Sequence, residues 1–324
     1  MKIISRLGNG MSGSVSRVSL KKKEYALKIE KIAEKYALKK NLASREWREI
    51  EFSLNMANKH PDQFMTLYKY DVVDNCTHVQ EYPNELKKYP VYLQKIFTKK
   101  NNSTYCIRKV YSLVDTVLKD VIRRLTVKQI YSMIAQTTYI IYLMKEYGYT
   151  HNDFHTQNIG VVYTDTKYMK IMDIKIPLFG YQYQAIDYGM VLHKKYKMDR
   201  IEKDMHRDNM KNEVMRLLKK LVTFEKNNQI KKLFDGHKHT RLFDRFIRSS
   251  DYLLVDSYDV DDGDRFILYQ ILFPDNAQKM FFGKEYRTTY QPLLMCELAD
   301  ILYFFNNRSN LHNIIRYCAI RLKK

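Results

Sequence analysis

Cysteine is scarce in this chain, with four residues among 324. None of them stands in a Cys-x-x-Cys or Cys/His spacing, which excludes the usual sequence patterns of zinc sites. Thiols this far apart in a long chain are typical of reduced residues rather than of a disulfide framework. The sequence therefore predicts reduced thiols at Cys76, Cys106, Cys296 and Cys318.

Long apolar runs are also missing. The most apolar stretch, residues 130–144, contains polar side chains and is too short to span a bilayer, so it predicts a buried helix. The first residues lack the apolar core of a signal peptide. We therefore expect an intracellular, cytoplasmic protein without a membrane span.

Acidic residues are outnumbered, with 36 Asp and Glu against 56 Lys and Arg, and the formal net charge is +20. Such a charge favours anionic partners, including nucleotides, nucleic acid and acidic proteins. A solvated lysine-rich surface has the same composition, and the chain contains no nucleic-acid-binding motif. Charge therefore leaves nucleic acid open as a partner without indicating it.

Glycine is sparse as well, yet three of the ten glycines fall within six positions. They form a G-x-G-x-x-G-x-V pattern, typical of a loop that covers nucleotide phosphates. Glycine suits this loop because a residue without Cβ lets backbone N–H groups approach phosphate oxygens. Dinucleotide-binding folds use a similar spacing. The predicted nucleotide-binding residues are Leu7, Gly8, Asn9, Gly10, Met11, Ser12, Gly13, Ser14 and Val15.

A phosphate-binding lysine follows the glycine loop. Lys28 lies in a strand predicted over residues 24–29, in a Tyr-Ala-Leu-Lys sequence close to the V-A-I-K pattern. From that strand it would reach the α- and β-phosphates beneath the loop. A lone strand lysine is more often a surface residue, but its position relative to the loop favours the phosphate role.

Such a lysine needs a carboxylate partner from the following helix, which the apolar spacing predicts over residues 41–58, before a stop at Pro61. Glu46, Glu49 and Glu51 compete for this role. We favour Glu49 because apolar residues follow it at one, three and seven positions and would anchor the helix beside it. Glu51 is the second choice.

The strongest motif is His-Asn-Asp-Phe-His-Thr-Gln-Asn, residues 151–158, after a helix predicted over residues 126–147. Asp153 and Asn158 have the spacing of H-R-D-L-x-x-x-N. Asp153 would act on the attacking hydroxyl, and the Asn158 amide oxygen would bind a metal ion. A short strand is predicted immediately after Asn158.

The last motif is Asp187-Tyr-Gly, a match to D-F-G in which Asp187 would chelate Mg²⁺. Asp173 has the more usual distance from Asp153 but no glycine two residues later. We therefore prefer Asp187 and interpret residues 163–184 as an inserted hairpin.

With these parts in order, the chain resembles the eukaryotic-type protein kinase superfamily over residues 7 to 190. The resemblance implies a bilobal α+β fold with a small β-rich N-lobe over residues 1–112 and a larger helical C-lobe over residues 113–324, with an ATP cleft between them. It also implies a serine/threonine protein kinase that uses ATP and Mg²⁺, with Mn²⁺ as an alternative. The Asp-Phe-His-Thr-Gln-Asn loop and the Gly-Tyr-Gln-Tyr-Gln sequence before Asp187 look most like serine/threonine-type kinases of large nucleocytoplasmic DNA viruses. This narrower resemblance would place the protein in the host cytoplasm or the virion.

The chain departs from the kinase pattern at three places. Asn152 replaces an Arg that pairs with phosphorylated activation loops, so we expect activity that does not depend on such phosphorylation. His155 replaces a Lys; it would either donate to the γ-phosphate or form a structural hydrogen bond within its loop. Ala-Pro-Glu is missing after Gly189, and residues 190–208 are expected to form a short basic segment that favours acidic protein substrates.

Two alternatives stay open beside the protein kinase. A kinase-fold enzyme acting on a small-molecule hydroxyl or amine would account for His155 and the missing Ala-Pro-Glu. A pseudokinase or a basic nucleic-acid-binding scaffold would account for the charge, although every expected Lys and Asp position is filled.

Overall fold

The computed structural model describes residues 2–10, 13–76, 103–225 and 311–323, which form a mixed α+β structure. The predicted α+β class is therefore confirmed. The strands are β1 (Lys2–Gly10), β2 (Gly13–Leu20), β3 (Lys23–Lys31), β4 (Leu67–Val73), β5 (Cys106–Tyr111), β6 (Thr116–Val117), β7 (Tyr149–Thr150), β8 (Ile159–Tyr163), β9 (Tyr168–Ile171), β10 (Ile174–Pro177), β11 (Tyr181–Ala185) and β12 (Leu192–His193). The helices are α1 (Glu34–Ala37), α2 (Arg45–Asn55), α3 (Leu118–Val121), α4 (Val127–Glu146), α5 (Arg200–Glu225) and α6 (Leu311–Lys323).

The largest sheet contains five antiparallel strands in the order β1-β2-β3-β5-β4. Strand β3 includes the predicted residues 24–29 and extends beyond them at both ends. Every second residue from the middle of β3 to the position just after it lies on one buried face of the sheet: Ala26, Lys28, Glu30 and Ile32. Two charged side chains therefore lie on the same buried face, two residues apart.

Helix α2 is shorter than the predicted residues 41–58. At its start, the Asn41 side chain accepts a hydrogen bond from the Ala43 N–H at 2.8 Å and forms a turn instead of a helix. Beyond its end, the Asn58 side chain pairs with the backbone of Leu67, with both bonds at 2.9 Å. These side-chain bonds compete with the helical ladder and confine α2 to Arg45–Asn55.

Helix α4 matches its prediction over residues 126–147 closely. It begins with a capping box between Thr126 and Gln129 and ends before Gly148, whose φ of +76° suits a glycine. The helix packs against α6 and β11. Across the described parts of the chain, we find no helix with both the length and the apolar character needed to cross a membrane.

Strands β8 and β11 pair with each other, and the β9–β10 hairpin lies between them in sequence. A hairpin is therefore present within the predicted residues 163–184, but it covers only residues 168–177, and residues 181–184 belong to β11. Asp173 is in the turn at the exposed tip of this hairpin.

The prediction of reduced thiols is wrong for Cys76 and Cys106, which form a disulfide. The cause is the register of β4 and β5: Val73 lies opposite Cys106, so the chain just beyond β4 passes beside the start of β5. The two Cα atoms are 5.6 Å apart, which is a normal distance for a bridged pair. Cys318 is buried, and Cys296 lies outside the described residues.

Candidate active site

The glycine loop is the turn between β1 and β2, where Gly10 pairs with Gly13. Met11 and Ser12, at the tip, lie outside the described residues. A Cβ on Gly13 would lie 2.2 Å from the Ile29 carbonyl oxygen and 2.6 Å from Glu30 Cγ, so a side chain here would require the backbone to move. A Cβ on Gly8 would meet nothing within 4 Å. Gly13 thus packs the loop closely onto β3, whereas Gly8 faces open space.

Lys28 brings together three separate elements of the chain. Its Nζ lies 3.0 and 3.1 Å from the two carboxylate oxygens of Glu49 on α2, and 2.9 Å from Asp187 Oδ1 after β11. Glu30 Oε1 is 3.6 Å away on the same strand. The lysine is buried, so these carboxylates balance its charge in place of water.

Of the three glutamates considered for Lys28, Glu49 is the one that α2 turns toward it. Glu51 instead accepts hydrogen bonds from Tyr149, Lys195 and Tyr196. The Ser44 hydroxyl donates to Glu46, near the start of the helix. The sequence preference for Glu49 therefore agrees with the geometry, because the apolar face that follows Glu49 is buried.

Neighbouring charges determine the protonation states of Lys28, Asp187 and Glu49. Burial alone would lower the pKa of Lys28, but the charges of Asp187, Glu30 and Glu49 outweigh it and hold that pKa well above its ordinary value. The Lys28 charge in turn lowers the pKa of Asp187 to about 2. Burial would raise the pKa of Glu49, but Lys109 and Lys28 lower it. Lys28, Asp187 and Glu49 are therefore ionised at neutral pH. Burial raises the pKa of Glu30, and the charges of Lys109 and Lys28 oppose that rise.

Lys109 is completely buried on β5 and was not among the residues predicted from the sequence. It forms ion pairs with both Glu30 and Glu49, and the Tyr111 hydroxyl also donates to Glu49 at 3.0 Å. The signal was present in the alternation of β5: Ile107, Lys109 and Tyr111 occupy one face, and all three are buried. Two lysines and two glutamates therefore make up a charged cluster beneath the sheet, with Asp187 at its edge.

The loop between β7 and β8 presents Asp153, whose side chain is 43% exposed. The Asn158 amide nitrogen donates to the Asp153 carbonyl at 2.9 Å and to its Oδ2 at 3.0 Å. Asn158 is also bonded to the residue before the Asp187-Tyr-Gly motif, because the Ile186 N–H donates to the Asn158 backbone carbonyl at 3.0 Å. Asn158, the candidate metal ligand, therefore holds Asp153, the candidate catalytic residue, in place through hydrogen bonds.

His155 lies in the same loop. Its Nε2 is 3.4 Å from Asp153 Oδ1, and its Nδ1 accepts a hydrogen bond from the Gln157 N–H at 3.2 Å. These contacts correspond to the structural hydrogen bond that was one of the two expected roles. They also leave His155 beside the carboxylate predicted to act on the substrate.

Asp187 has a left-handed backbone, with φ of +57°. Its neighbours fix this conformation: the Tyr188 hydroxyl donates to the carbonyls of Met65 and Ala185, at 3.0 and 2.8 Å. On the other side, His151 Nε2 lies 3.1 Å from the Ile186 carbonyl oxygen. Aspartate tolerates a left-handed backbone better than most residues, and in this conformation the Asp187 carboxylate contacts Lys28.

Asn152, which stands where many kinases have Arg, is bonded on several sides. Its N–H donates to Glu213 Oε1 at 2.7 Å, and its side chain donates to the Met190 carbonyl at 2.8 Å. Its Oδ1 accepts a hydrogen bond from Asn209 at 2.8 Å. Hydrogen bonds of the uncharged Asn152 therefore tie this loop both to α5 and to the residues after Asp187.

Helix α2 also contacts the segment that follows Asp187. Arg48 donates to the Lys197 carbonyl and to Glu202, both at 2.8 Å, and Glu51 binds Lys195 and Tyr196. We call these contacts of Arg48 and Glu51 the α2 clamp. The expected basic segment over residues 190–208 is shorter than predicted, because α5 already begins at residue 200.

The comparisons with known proteins do not assign this site to a family. A scan against models of protein families and a search of curated proteins both find no match to the chain.

Proposed function

We propose that the protein is an ATP-dependent serine/threonine protein kinase. The single observation that carries this proposal is the meeting of Glu49 and Asp187 at Lys28 Nζ, at 3.0 and 2.9 Å. The two carboxylates are 21 and 159 positions from Lys28 in sequence. The kinase resemblance assigns these same three residues to one phosphate-binding site.

The bilobal kinase fold is part of the proposal. In support of it, the sheet order β1-β2-β3-β5-β4 and the position of α2 between β3 and β4 suit a small lobe over residues 1–112. Helix α4 and the paired strands β8 and β11 belong to residues 113–324. Lys28 and Glu49 from the first part would then face Asp187 and Asp153 from the second across a nucleotide cleft.

ATP would lie beneath the glycine loop, with its phosphates bound by loop amides and Lys28. The residues present fit a magnesium ion: Asp187 offers an ionised carboxylate that is 47% exposed, and Asn158 offers an amide side chain. Mg²⁺ is usually bound by one or two such side chains together with substrate phosphates. When bound, the ion would neutralise charge that develops on the transferred phosphoryl group.

Asp153 would orient the substrate hydroxyl and accept its proton. The hydroxyl oxygen forms a bond to the γ-phosphorus, and the bond from that phosphorus to the β–γ bridging oxygen breaks, which releases ADP. Because Asn158 steadies Asp153 through two hydrogen bonds, the carboxylate is already positioned before the substrate arrives. Positioning and charge stabilisation would supply most of the acceleration.

A small-molecule phosphotransferase is the second candidate. It is favoured by the short connection between Gly189 and α5, which leaves little chain for a peptide-binding segment. The test is transfer of labelled γ-phosphate from ATP and Mg²⁺ to casein, myelin basic protein, aminoglycosides and choline. We expect label on Ser or Thr of the proteins; label on a small molecule alone would favour the second candidate, and no label despite ATP binding would overturn both.

A further inference from the structure

A second buried lysine accompanies the phosphate-binding lysine. Lys109 on β5 lies directly opposite Lys28 on β3 in the sheet register, and its side chain is 0% exposed. It forms ion pairs with Glu30 and with Glu49. Burying an ammonium group is unfavourable unless it is paired. Removing either Lys109 or Glu30 would therefore leave the other as a poorly compensated buried charge.

Glu49 has more partners than a single lysine supplies. Lys28 and Lys109 both bind its carboxylate, and the Tyr111 hydroxyl donates to it at 3.0 Å. Lys28 is itself divided between Glu49 and Asp187. A phosphate group that drew Lys28 away would therefore leave Glu49 with Lys109 and Tyr111, both supplied by β5.

We propose that Lys109 is a positioning residue that holds Glu49, and with it helix α2, independently of Lys28. Lys28 is then free to move toward nucleotide phosphates without releasing the helix. The catalytic consequence rests on the proposed kinase function, whereas the anchoring of α2 does not. Glu30 balances the charge of Lys109, and because Glu30 Cγ lies beneath Gly13, the cluster also supports the base of the glycine loop.

The catalytic test compares Lys109→Met with the double variant Lys109→Met/Glu30→Gln. The single variant removes the lysine that pairs closely with Glu30 and leaves it only Lys28, 3.6 Å away, so we expect it to unfold more readily. The double variant removes one charge of each sign and should recover its thermal stability. We expect its kcat to stay about tenfold below wild type, with the KM for ATP within about threefold, because Lys28 is then poorly positioned for transfer.

The matched control is Lys69→Met, the same substitution at an exposed position on β4, the other strand beside β5. It should change neither stability nor kcat. If Lys109 only neutralised Glu30, the double variant would recover kcat together with stability. That recovery would overturn the proposal.

A second measurement does not depend on catalysis. Hydrogen exchange of the amides of residues 45–55 is followed in Lys28→Met and in the triple variant Lys28→Met/Lys109→Met/Glu30→Gln. We expect protection close to wild type in the first, and exchange about tenfold faster in the triple variant, because Glu49 then loses both lysines. Equal loss of protection in both variants would overturn the proposal. Wild-type protein that transfers no phosphate but shows the expected exchange would refute the kinase function alone.

Discussion

Replacement of Glu51 by Gln should loosen the α2 clamp. The Glu51 side chain is 7% exposed and accepts hydrogen bonds from Lys195, Tyr196, Tyr149 and Asn55. Two of these donors, Lys195 and Tyr196, belong to the segment after Asp187. Glutamine keeps the shape and one acceptor oxygen but removes the charge that strengthens every bond.

The size of the effect follows from the exposure of each donor. The Lys195 side chain is 42% exposed, so its ion pair is screened and contributes less than about 1 kcal/mol. Tyr196 is buried, and its hydrogen bond to an ionised acceptor is worth about 1.5–3 kcal/mol. Because Gln retains part of that bond, we expect Glu51→Gln to lower the free energy of unfolding by about 2 kcal/mol.

A double-mutant cycle with Tyr196→Phe measures the contact itself. The free energy of unfolding in urea is determined for both single variants and the double variant, and we expect a coupling of about 1 kcal/mol. Limited proteolysis between residues 190 and 199 should become faster in each single variant. Additive losses, with coupling below about 0.3 kcal/mol, would refute this account of the clamp.

Wild type and Glu51→Gln should also differ in how their stability depends on pH. Burial would raise the pKa of Glu51, but hydrogen bonds from Lys195, Tyr196 and Asn55 lower it below 4.5. A lowered folded-state pKa means that the carboxylate stabilises the protein fully above pH 4.5 and progressively less as the pH falls through the folded-state value. The stability difference between wild type and Glu51→Gln should therefore be constant near neutrality and shrink in acid. A difference that grew in acid would have the wrong sign.

Three further predictions follow from other contacts. Gly13→Ala should destabilise the protein by about 1–3 kcal/mol in urea unfolding, because its Cβ would overlap β3, whereas Gly8→Ala should leave stability unchanged; equal effects would contradict this packing. Cys76→Ser should lower the free energy of unfolding by about 3.5 kcal/mol, since the disulfide to Cys106 closes a 30-residue separation, and a thiol titration that finds both cysteines reduced would contradict the bridge. Phosphatase treatment should leave the transfer rate unchanged, because the uncharged Asn152 cannot form an ion pair with a phosphate and is already hydrogen-bonded to Glu213 and Met190; loss of activity would refute this.

Local patterns were enough to predict much of the fold. Helix α4 and the β9–β10 hairpin each follow from turn residues or apolar periodicity within a few positions. Glu49 was favoured for the same reason, since the apolar face beside it fixes the direction of the helix. The ends of α2 were less predictable, because Asn41 and Asn58 compete with the helix through side-chain bonds.

The missing parts depend on contacts between distant strands. In the sequence alone, Lys109 looks like an ordinary strand lysine. Only the pairing of β5 with β3 brings it into contact with Glu30 and Glu49. The bridge between Cys76 and Cys106 likewise depends on the register of β4 with β5. Alternation along β5 contained the clue, because Lys109 shares its face with two buried residues, but the partner strand had to be known.

The most direct test of the account is Mg²⁺-dependent transfer of labelled γ-phosphate by wild type, Asp153→Ala, Asp187→Ala and Asp173→Ala. Asp173 is the matched control, since it is an aspartate at the exposed tip of the β9–β10 hairpin. We expect the first two substitutions to lower transfer to protein acceptors at least a hundredfold, roughly the contribution of a general base or of charge stabilisation, and the third to leave it unchanged. Transfer that survived Asp187→Ala, or that disappeared in Asp173→Ala, would contradict the assignment of this site.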